Sequence, residues 1–490
     1  MEEKSLQEQA VKGIAWSATR LWGRQLITFF VFLLLSRLLG PEAFGLVALA
    51  SVFTAFVRIF LDQGFGAAII QRSDLEPEHL DTAFWFGIVV GLALTLGGIA
   101  AANLIAQLFE EPQLAPIVRW LSLTFLIAAL SSTQIAILRR DLAFKSLAVR
   151  STVATVGGGI VAVSFAFLGF GVWSLVAQNL VGSLLGVIFL WRASHWRPGF
   201  NFSKRHLSEL YGFGLNVIGI KVLDFFNRRS DDFLIGYFLG PVALGYYTIA
   251  YRLLLVMLQL LTGITTAVSF PTFSRLQKEP ERMRSAFYKV TKVTSLIAFP
   301  AFVGILIVAP ELVDVLYGSE WAPSVPVMQI LALIGILSSV TLFNNTVMKA
   351  AGKPSWQLAI MSINMVFAVI GFLIVVRFGI VAVAAAYVIT GYLLAPLAYF
   401  AVHRLIRIDL RTYLLQYAIP LVGSLGMVAI VMALKQVLGE ALNIHLRLSI
   451  YVVAGAITYL AFVLLADRSM ARQGLDYVGL IFPKLKLSRT

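Results

Sequence analysis

Cysteine is absent from the 490-residue sequence, so disulfide bonds, thiolate metal sites and cysteine nucleophiles are excluded. Charge is scarce as well: 13% of the residues are charged, against roughly 25% in soluble domains. Apolar sequence is abundant, with 59% hydrophobic residues and a mean hydropathy of +0.86. Because a soluble core stops growing near roughly 250–300 residues, this much apolar surface must face lipid. The composition predicts an all-α integral membrane protein.

The amino terminus, MEEKSLQEQA, is polar and acidic, without a basic stretch before a short apolar core. We therefore expect no cleavable signal peptide. Stretches long enough to cross a bilayer recur along the rest of the chain. We predict about fourteen spans, near residues 14–38, 43–69, 83–109, 115–138, 147–168, 171–191, 209–239, 243–270, 287–309, 324–348, 356–376, 380–402, 413–434 and 447–466.

The basic residues orient these spans. With the amino terminus inside, 27 of the 39 Lys and Arg residues fall in inside segments, five in outside loops and seven within spans. By the positive-inside rule, this asymmetry predicts that both termini are cytoplasmic. Most of the net charge of +14 then marks orientation and does not indicate a nucleic-acid partner.

A block of sequence occurs twice. LGPEAFG at residues 39–45 returns as LGPVALG at residues 239–245, which is 200 residues later. The segment ending at Ser132 resembles the segment ending at Ser339, 207 residues later. A repeat of six spans enters the membrane twice from the same side, so the two copies are related by parallel duplication and a binding cavity is expected near the midplane between them.

The repeat predicts the domain organisation. Residues 1–205 form a first six-helix lobe and residues 206–403 form a second. Residues 404–490 add two helices and a basic cytoplasmic tail outside the repeat.

Charged residues inside spans are the candidate functional groups, because a cation at the bilayer centre costs about 2.5–3.5 kcal/mol and normally faces a bundle interior or a hydrated cavity. Arg20 and Arg24 share one helical face, without a nearby acid in the sequence. Arg20 could instead snorkel to lipid phosphates. Arg58 lies four residues before Asp62, and the two could neutralise each other. Arg252 has no acid within four residues.

The predicted seventh span is unusually polar. Lys221, Asp224, Arg228 and Asp231 are spaced three or four residues apart and form a stripe of alternating sign, with Asp232 beside it. The stripe is either a salt-bridge ladder buried against a neighbouring helix or the wall of a hydrated transport path. The acids of this set, together with Asp62, are the candidates for coupling to an ion.

Motifs of catalysis are not found in the sequence. It has no Gly-x-x-x-x-Gly-Lys phosphate loop and no His or Cys group at metal-ligand spacing, so we expect neither an enzyme nor a metal site. The outside loops are short, which disfavours a membrane-embedded glycan polymerase or ligase. A passive pore or a secondary carrier remains, and the duplication favours a carrier, with Na⁺ or H⁺ as the conceivable coupling ion.

Two further strings carry a family resemblance. SRLLGPEAFG at residues 36–45 and DQGFGAAIIQR at residues 62–72 resemble the polysaccharide-exporter branch of the multidrug/oligosaccharidyl-lipid/polysaccharide flippase superfamily, in particular its O-antigen and colanic-acid type members. The resemblance implies a carrier with the fold of the multidrug-extrusion proteins. It would move undecaprenyl-diphosphate-linked oligosaccharide units across the bacterial inner membrane by alternating access, for lipopolysaccharide or exopolysaccharide biosynthesis.

The resemblance also implies a site and partners. Relatives use arginines of the first, second and eighth helices in a cationic cavity, the helices that here carry Arg20, Arg24, Arg58 and Arg252. The expected partners are the lipid-linked oligosaccharide, the bilayer and polysaccharide assembly proteins, with the chain itself a monomer. The alternative within the superfamily is an ion-coupled multidrug exporter, but a cation exporter should have acidic lobes, whereas the spans here sum to a positive charge.

Overall fold

The computed structural model describes residues 2–62, 65–72, 74–439 and 442–466. Within these ranges the side chains of residues 2–24, 62, 67, 209–217, 220 and 262–268 are not described. The predicted site residues Arg20, Arg24 and Asp62 therefore lie outside the described side chains.

All regular structure in the described residues is helical, as the composition predicts. The helices are α1 (Glu2–Asp62), α2 (Phe65–Gln71), α3 (Pro77–Leu108), α4 (Leu114–Arg140), α5 (Phe144–Phe167), α6 (Trp173–Ala193), α7 (Lys204–Arg275), α8 (Pro280–Leu316), α9 (Ser324–Ala350), α10 (Pro354–Val375), α11 (Ile380–Ile406), α12 (Leu410–Leu415), α13 (Ala418–Leu438) and α14 (Ile444–Ala466). Two short 3₁₀ helices cover Ser319–Trp321 and Val376–Phe378.

Twelve helical stretches among the described residues are long and apolar enough to cross a membrane. Two of them, Gln25–Leu61 with 37 residues and Lys221–Leu261 with 41, are longer than one crossing needs. At about 1.5 Å per residue they would extend about 55 and 60 Å, whereas the hydrocarbon core is about 30 Å thick. Both are interrupted by a glycine with non-helical backbone angles, Gly40 in α1 and Gly240 in α7. The number of fourteen crossings stays a prediction.

The chain divides into two compact units. Among the described residues, the first unit comprises those within 27–248 and 368–383, and the second those within 2–26, 249–367 and 384–466. In the first unit α3 packs on α4, α5 on α6, and α4 on α6. In the second unit α8 packs on α9, α13 and α14. The predicted lobe boundaries at residues 205 and 403 remain a prediction.

The repeated motif has the same backbone in both copies. Gly40 has φ 69° and ψ 174°, and Gly240, 200 residues later, has φ 80° and ψ 178°. Positive φ combined with an extended ψ is accessible essentially to glycine alone, so this residue type is required at both positions. The register that the sequence gives for the motif is therefore confirmed.

For the second pair of repeated segments, which end at Ser132 and Ser339, the predicted offset of 207 residues is wrong by three. Helices α4 and α9 have 27 residues each, and they begin at Leu114 and Ser324, which are 210 residues apart and not 207. The same offset pairs Leu142 with Gly352, whose φ angles are 54° and 71°. A slip of three residues is close to one helical turn, so it preserves apolar similarity, and the sequence pattern alone does not detect it.

The two copies of the motif contact each other inside the first unit. A Cβ atom added at Gly45 would overlap the backbone carbonyl of Pro241, and one added at Gly245 would overlap that of Pro41. Each glycine thus packs against the proline of the other copy. The arrangement is reciprocal, as expected for two related elements that meet about a local pseudo-twofold axis.

Candidate functional site

The first unit contains a cavity of about 510 Å³. Its walls combine small and apolar residues of α1 to α6 with four cationic side chains, which are Arg58, Arg139, Arg150 and Lys221. The described residues that line it include no carboxylate. Because cations outnumber acids in this lining, the cavity attracts anions.

The four cations come from four different helices. Arg58 is in the second half of α1 and Arg139 in the last turn of α4, and both are exposed side chains. Arg150 is in the second turn of α5, and Lys221 is in α7; both are half-buried. No two of them are neighbours in sequence, so tertiary packing brings them together.

A glycine gives Arg150 its position. An added Cβ at Gly186 of α6 would lie 3.3 Å from the Nε of Arg150, so the guanidinium rests directly against the α6 backbone. Below it, α5 and α6 approach closely: an added Cβ at Gly158 would lie 2.7 Å from the carbonyl oxygen of Gln178. Small residues in both helices therefore create the space in which this side chain lies.

The electrostatics of Arg150 favour an anionic ligand. Its Nε is buried and has no hydrogen-bond partner among the described groups. The positive charges of Arg139 and Arg58 act on it. A buried donor without a partner, surrounded by like charges, is unfavourable unless an anion binds. Phosphate oxygens suit this arrangement because a guanidinium donates two parallel hydrogen bonds to them.

The predicted charged stripe of the seventh span pairs locally. Arg228 Nε donates to Asp224 Oδ1 at 2.9 Å, and Arg229 Nη1 donates to Asp232 Oδ2 at 2.7 Å. The buried carboxylate of Asp231 accepts a hydrogen bond from the Tyr247 hydroxyl at 2.9 Å. Lys221 lines the cavity, whereas none of the three aspartates does. The stripe is thus a set of short pairs with one cation at the cavity.

Arg252 lies in the second unit, in the part of α7 that follows the Gly240 break. It acts electrostatically on Tyr317, a fully buried residue at the end of α8. Burial raises the pKa of the Tyr317 hydroxyl, and the positive charge of Arg252 opposes that rise. Of the four predicted site arginines, the structure places Arg58 at the cavity and Arg252 in the other unit.

Arg139 and Arg150 were not expected at a site. Both lie at the inside ends of predicted spans, and the positive-inside count includes them with the cytoplasmic residues, where they serve only to mark topology. One signal in the sequence does point to Arg150, namely the run Gly157, Gly158 and Gly159 two turns later in the same helix. Such a run predicts close helix packing, but it does not say which cation uses the space.

Known proteins resemble this chain along most of its length. The teichuronic acid biosynthesis protein TuaB of Bacillus subtilis (strain 168) is 27% identical over 471 residues, covering 93% of this chain and 95% of its own. The lipopolysaccharide biosynthesis protein WzxC of Escherichia coli (strain K12) is 29% identical over 348 residues, covering 69% of each chain.

A solved structure shares the fold. The lipid II flippase MurJ, in an inward closed conformation, superimposes with a TM-score of 0.77 at 16% identity, covering 92% of this chain and 98% of its own. This likeness confirms the predicted fold class. A family model described as polysaccharide biosynthesis protein matches residues 34–326. Since the match covers more than half of the sequence, the chain belongs to the polysaccharide biosynthesis protein family.

Proposed function

We propose that this protein is a flippase that moves lipid-linked oligosaccharide from the cytoplasmic to the outer leaflet of a bacterial inner membrane. The observation that carries the proposal is the cationic cavity with its partnerless Arg150 Nε. A polyprenyl-diphosphate-linked sugar is an anion with a lipid tail, and in a membrane carrier such a cavity fits its diphosphate. The names of TuaB, WzxC and MurJ support the same substrate class.

The chemistry divides the substrate into three parts. The diphosphate binds the guanidinium groups of Arg58, Arg139 and Arg150, and the ammonium of Lys221 adds a point charge. Hydroxyl groups of Ser131, Ser132 and Ser183 also line the cavity and offer hydrogen bonds to sugar or phosphate oxygens. The polyprenyl chain stays in lipid. Transport makes and breaks no covalent bond, so no catalytic residue is assigned.

We also propose that the chain crosses the membrane fourteen times, with both termini in the cytoplasm, and works as a monomer. Breaks at Gly40 and Gly240 divide two over-long helices into two crossings each, which supports fourteen crossings. The 27 inside Lys and Arg residues support cytoplasmic termini. Polysaccharide assembly proteins are proposed as partners of this monomer in the cell.

An ion-coupled multidrug exporter is the weaker alternative. Such exporters carry cationic amphiphiles, and a cavity whose four charged lining residues are all basic repels them. If turnover is ion-coupled, Asp62, Asp224, Asp231 and Asp232 are the carboxylates within the spans that a coupling Na⁺ or H⁺ would use.

The decisive experiment measures flipping of a fluorescent polyprenyl-diphosphate oligosaccharide in proteoliposomes. For the double variant Arg139→Ala/Arg150→Ala we expect a fall of about 100-fold or more, because each lost charged hydrogen bond contributes roughly 1.5–3 kcal/mol. Lys145→Ala is the matched control, since it removes an exposed cation of α5 that does not line the cavity. Normal flipping by the double variant, or selective transport of a cationic dye, would contradict the proposal.

A further inference from the structure

Outside the cavity, two histidines and a glutamate from distant parts of the sequence lie together in the first unit. Glu76 precedes the first residue of α3, His79 lies in the first turn of α3, and His206 lies in the first turn of α7. One potential ligand atom from each residue lies within 4.8 Å of the others. Sequence spacing could not predict this group, because His206 joins it only through the tertiary fold.

One ligand pair already has the separation found in a metal centre. His206 Nε2 lies 3.3 Å from Glu76 Oε2. Two ligands bound to one tetrahedral Zn²⁺ at about 2.0–2.1 Å lie roughly 3.3–3.4 Å apart, so this pair already has the required separation. The imidazole rings of His79 and His206 lie 4.1 Å apart between centroids. The Glu76 side chain is 62% exposed and has room to adjust.

Both histidines are shielded from water. His79 is buried, at 2% exposure, and the side chain of His206 is 12% exposed. The Nδ1 atom of His206 is buried and has no hydrogen-bond partner among the described groups. An ion bound at Nε2, the nitrogen that faces the Glu76 carboxylate, would fix the orientation of the His206 ring and place its proton on Nδ1.

The surrounding loop fixes His206 against α3. Gly199 N donates to Asp81 Oδ1 at 3.0 Å, Ser203 N donates to Thr82 Oγ1 at 3.1 Å, and the indole of Trp85 donates to the Gly199 carbonyl at 2.7 Å. These three bonds tie the connection between α6 and α7 to the first turns of α3. The three candidate ligands are therefore held on a preorganised support, as a metal site requires.

The capping box at the start of α3 opposes the metal, because the Glu76 carboxylate accepts the backbone N–H of His79 and the His79 ring accepts the backbone N–H of Glu76. His79 Nδ1 accepts the backbone N–H of Glu76 at 3.2 Å, which leaves the proton of the neutral ring on Nε2. For Nε2 to bind a metal, that proton must move to Nδ1, and the Glu76 N–H must then bond water. This exchange weakens the site, so micromolar affinity is expected instead of the far tighter binding of structural zinc centres.

We propose that Glu76, His79 and His206 bind one divalent first-row transition ion, with Zn²⁺ the best fit. Two imidazoles and one carboxylate form a zinc ligand set that leaves a fourth position for water. Hard ions such as Mg²⁺ and Ca²⁺ prefer all-oxygen ligands and are excluded by the two imidazoles. The ion would fasten the start of α7 to the start of α3.

Zinc titration of the purified full-length protein, carrying a histidine-free tag, tests the proposal. Competition with a chromophoric chelator should give one Zn²⁺ per chain in the micromolar range. His79→Ala and His206→Ala should each weaken binding by at least 10-fold, since loss of a ligand is at least as severe as loss of its supporting contact. Co²⁺ in place of Zn²⁺ should give the visible absorption of a tetrahedral centre. His195→Ala, an exposed histidine of the same loop, is the matched control and should bind normally.

Two results would overturn the proposal. One is wild-type protein that binds no Zn²⁺ at 100-fold above the expected range. The other is equal binding by the wild type and by His206→Ala. His206→Gln keeps a polar side chain of similar size, so it tests the ligand if the alanine variant does not fold. Since flipping is not measured, failure here leaves the proposed transport function untouched.

Discussion

Gly186 determines whether the guanidinium of Arg150 can lie against α6. A Cβ atom there would already be 3.3 Å from Nε, and a leucine side chain would occupy the space of the guanidinium. We expect Gly186→Leu to reduce flipping by about 10-fold or more, because displacement of Arg150 removes a charge-assisted bond of roughly 1.5–3 kcal/mol to the diphosphate. The measurement is flipping in proteoliposomes beside the thermal melting temperature.

Gly97→Leu is the control for this substitution. No atom lies within 4 Å of the Cβ position of Gly97, and the residue is exposed on α3. It should flip substrate like the wild type. If Gly186→Leu also retained full flipping while folded, Arg150 would not be a ligand of the substrate.

At the residue scale, the sequence shows which charged residues are present, but it predicts poorly which of them line the cavity. Arg58 lines the cavity of the first unit, and its predicted role in substrate binding stays a prediction. Arg139 and Arg150 also line the cavity, yet a rule that counts charges assigns them to the cytoplasmic surface. The direction of an arginine side chain near a helix end depends on which helices pack beside it. The local sequence does not determine that packing.

The broken helices α1 and α7 depend on each other through their glycine contacts. An added methyl group at Gly45 meets the backbone of Pro241, which cannot rotate away as a side chain would. We expect Gly45→Ala to lower the free energy of unfolding by about 1–3 kcal/mol, the usual range for overpacking. Gly245→Ala should have a similar effect because the contact is reciprocal.

Equilibrium unfolding in detergent measures both variants against Gly426→Ala, whose Cβ position has open space around it. Combining the two substitutions should cost less than the sum, since both act on one contact. Strict additivity would mean that the two glycines do not share an interface.

The short helix α12 provides a pH-dependent element. Asp409 Oδ2 accepts hydrogen bonds from the backbone N–H and the hydroxyl of Thr412, at 2.7 and 2.8 Å. The Thr412 N–H, followed by its hydroxyl, lowers the pKa of Asp409 below its ordinary value. A lowered pKa means that the carboxylate stabilises the fold above pH about 4 and that this contribution is lost as the pH falls through the folded-state pKa.

Wild-type protein should therefore melt above Asp409→Asn at pH 7, and the difference should shrink toward pH 3. Thermal unfolding at both pH values gives the comparison. Asp141→Asn, which removes an exposed carboxylate at the end of α4, is the control. A constant difference between wild type and Asp409→Asn at both pH values would show that the cap does not depend on ionisation.

At the element scale, the sequence predicts that helices form, but it predicts less well how the helices of the two repeat copies align. Gly40 and Gly240 match because a positive φ demands glycine, so the motif is anchored by backbone chemistry. Between α4 and α9, apolar residues alone carry the similarity, and the expected offset of 207 misses the observed 210. Apolar side chains facing lipid are interchangeable, so they do not fix an alignment.

For the whole molecule, the cysteine-free sequence makes topology directly testable. We expect a cysteine at exposed Asn201 to react with an impermeant maleimide only from the cytoplasmic side, and one at exposed Ser319 only from the outside, because the predicted fourteen crossings place them on opposite faces. The measurement is labelling of intact cells and of inverted vesicles. Reaction of both cysteines from one side would refute the predicted topology.

The fold of the whole chain follows from composition, repeat and motif, since an apolar chain has few stable architectures in lipid. The division into units does not follow from them. Residues 368–383 join the first unit although they lie far along the chain, and the sequence repeat predicts a boundary at residue 205. Packing of distant segments decides this division, and a repeat pattern contains no information about it.

The one-signed lining of the cavity has an electrical consequence. The guanidinium groups of Arg58, Arg139 and Arg150 belong to the protein, whereas the charge of the diphosphate, about two negative units, leaves with the substrate. Each negative charge carried outward across an inside-negative membrane gains about 2.3 kcal/mol per 100 mV. If the proposed diphosphate is the cargo, roughly two charges contribute about 4.6 kcal/mol per 100 mV, a driving force for export that the membrane potential supplies without a co-transported ion.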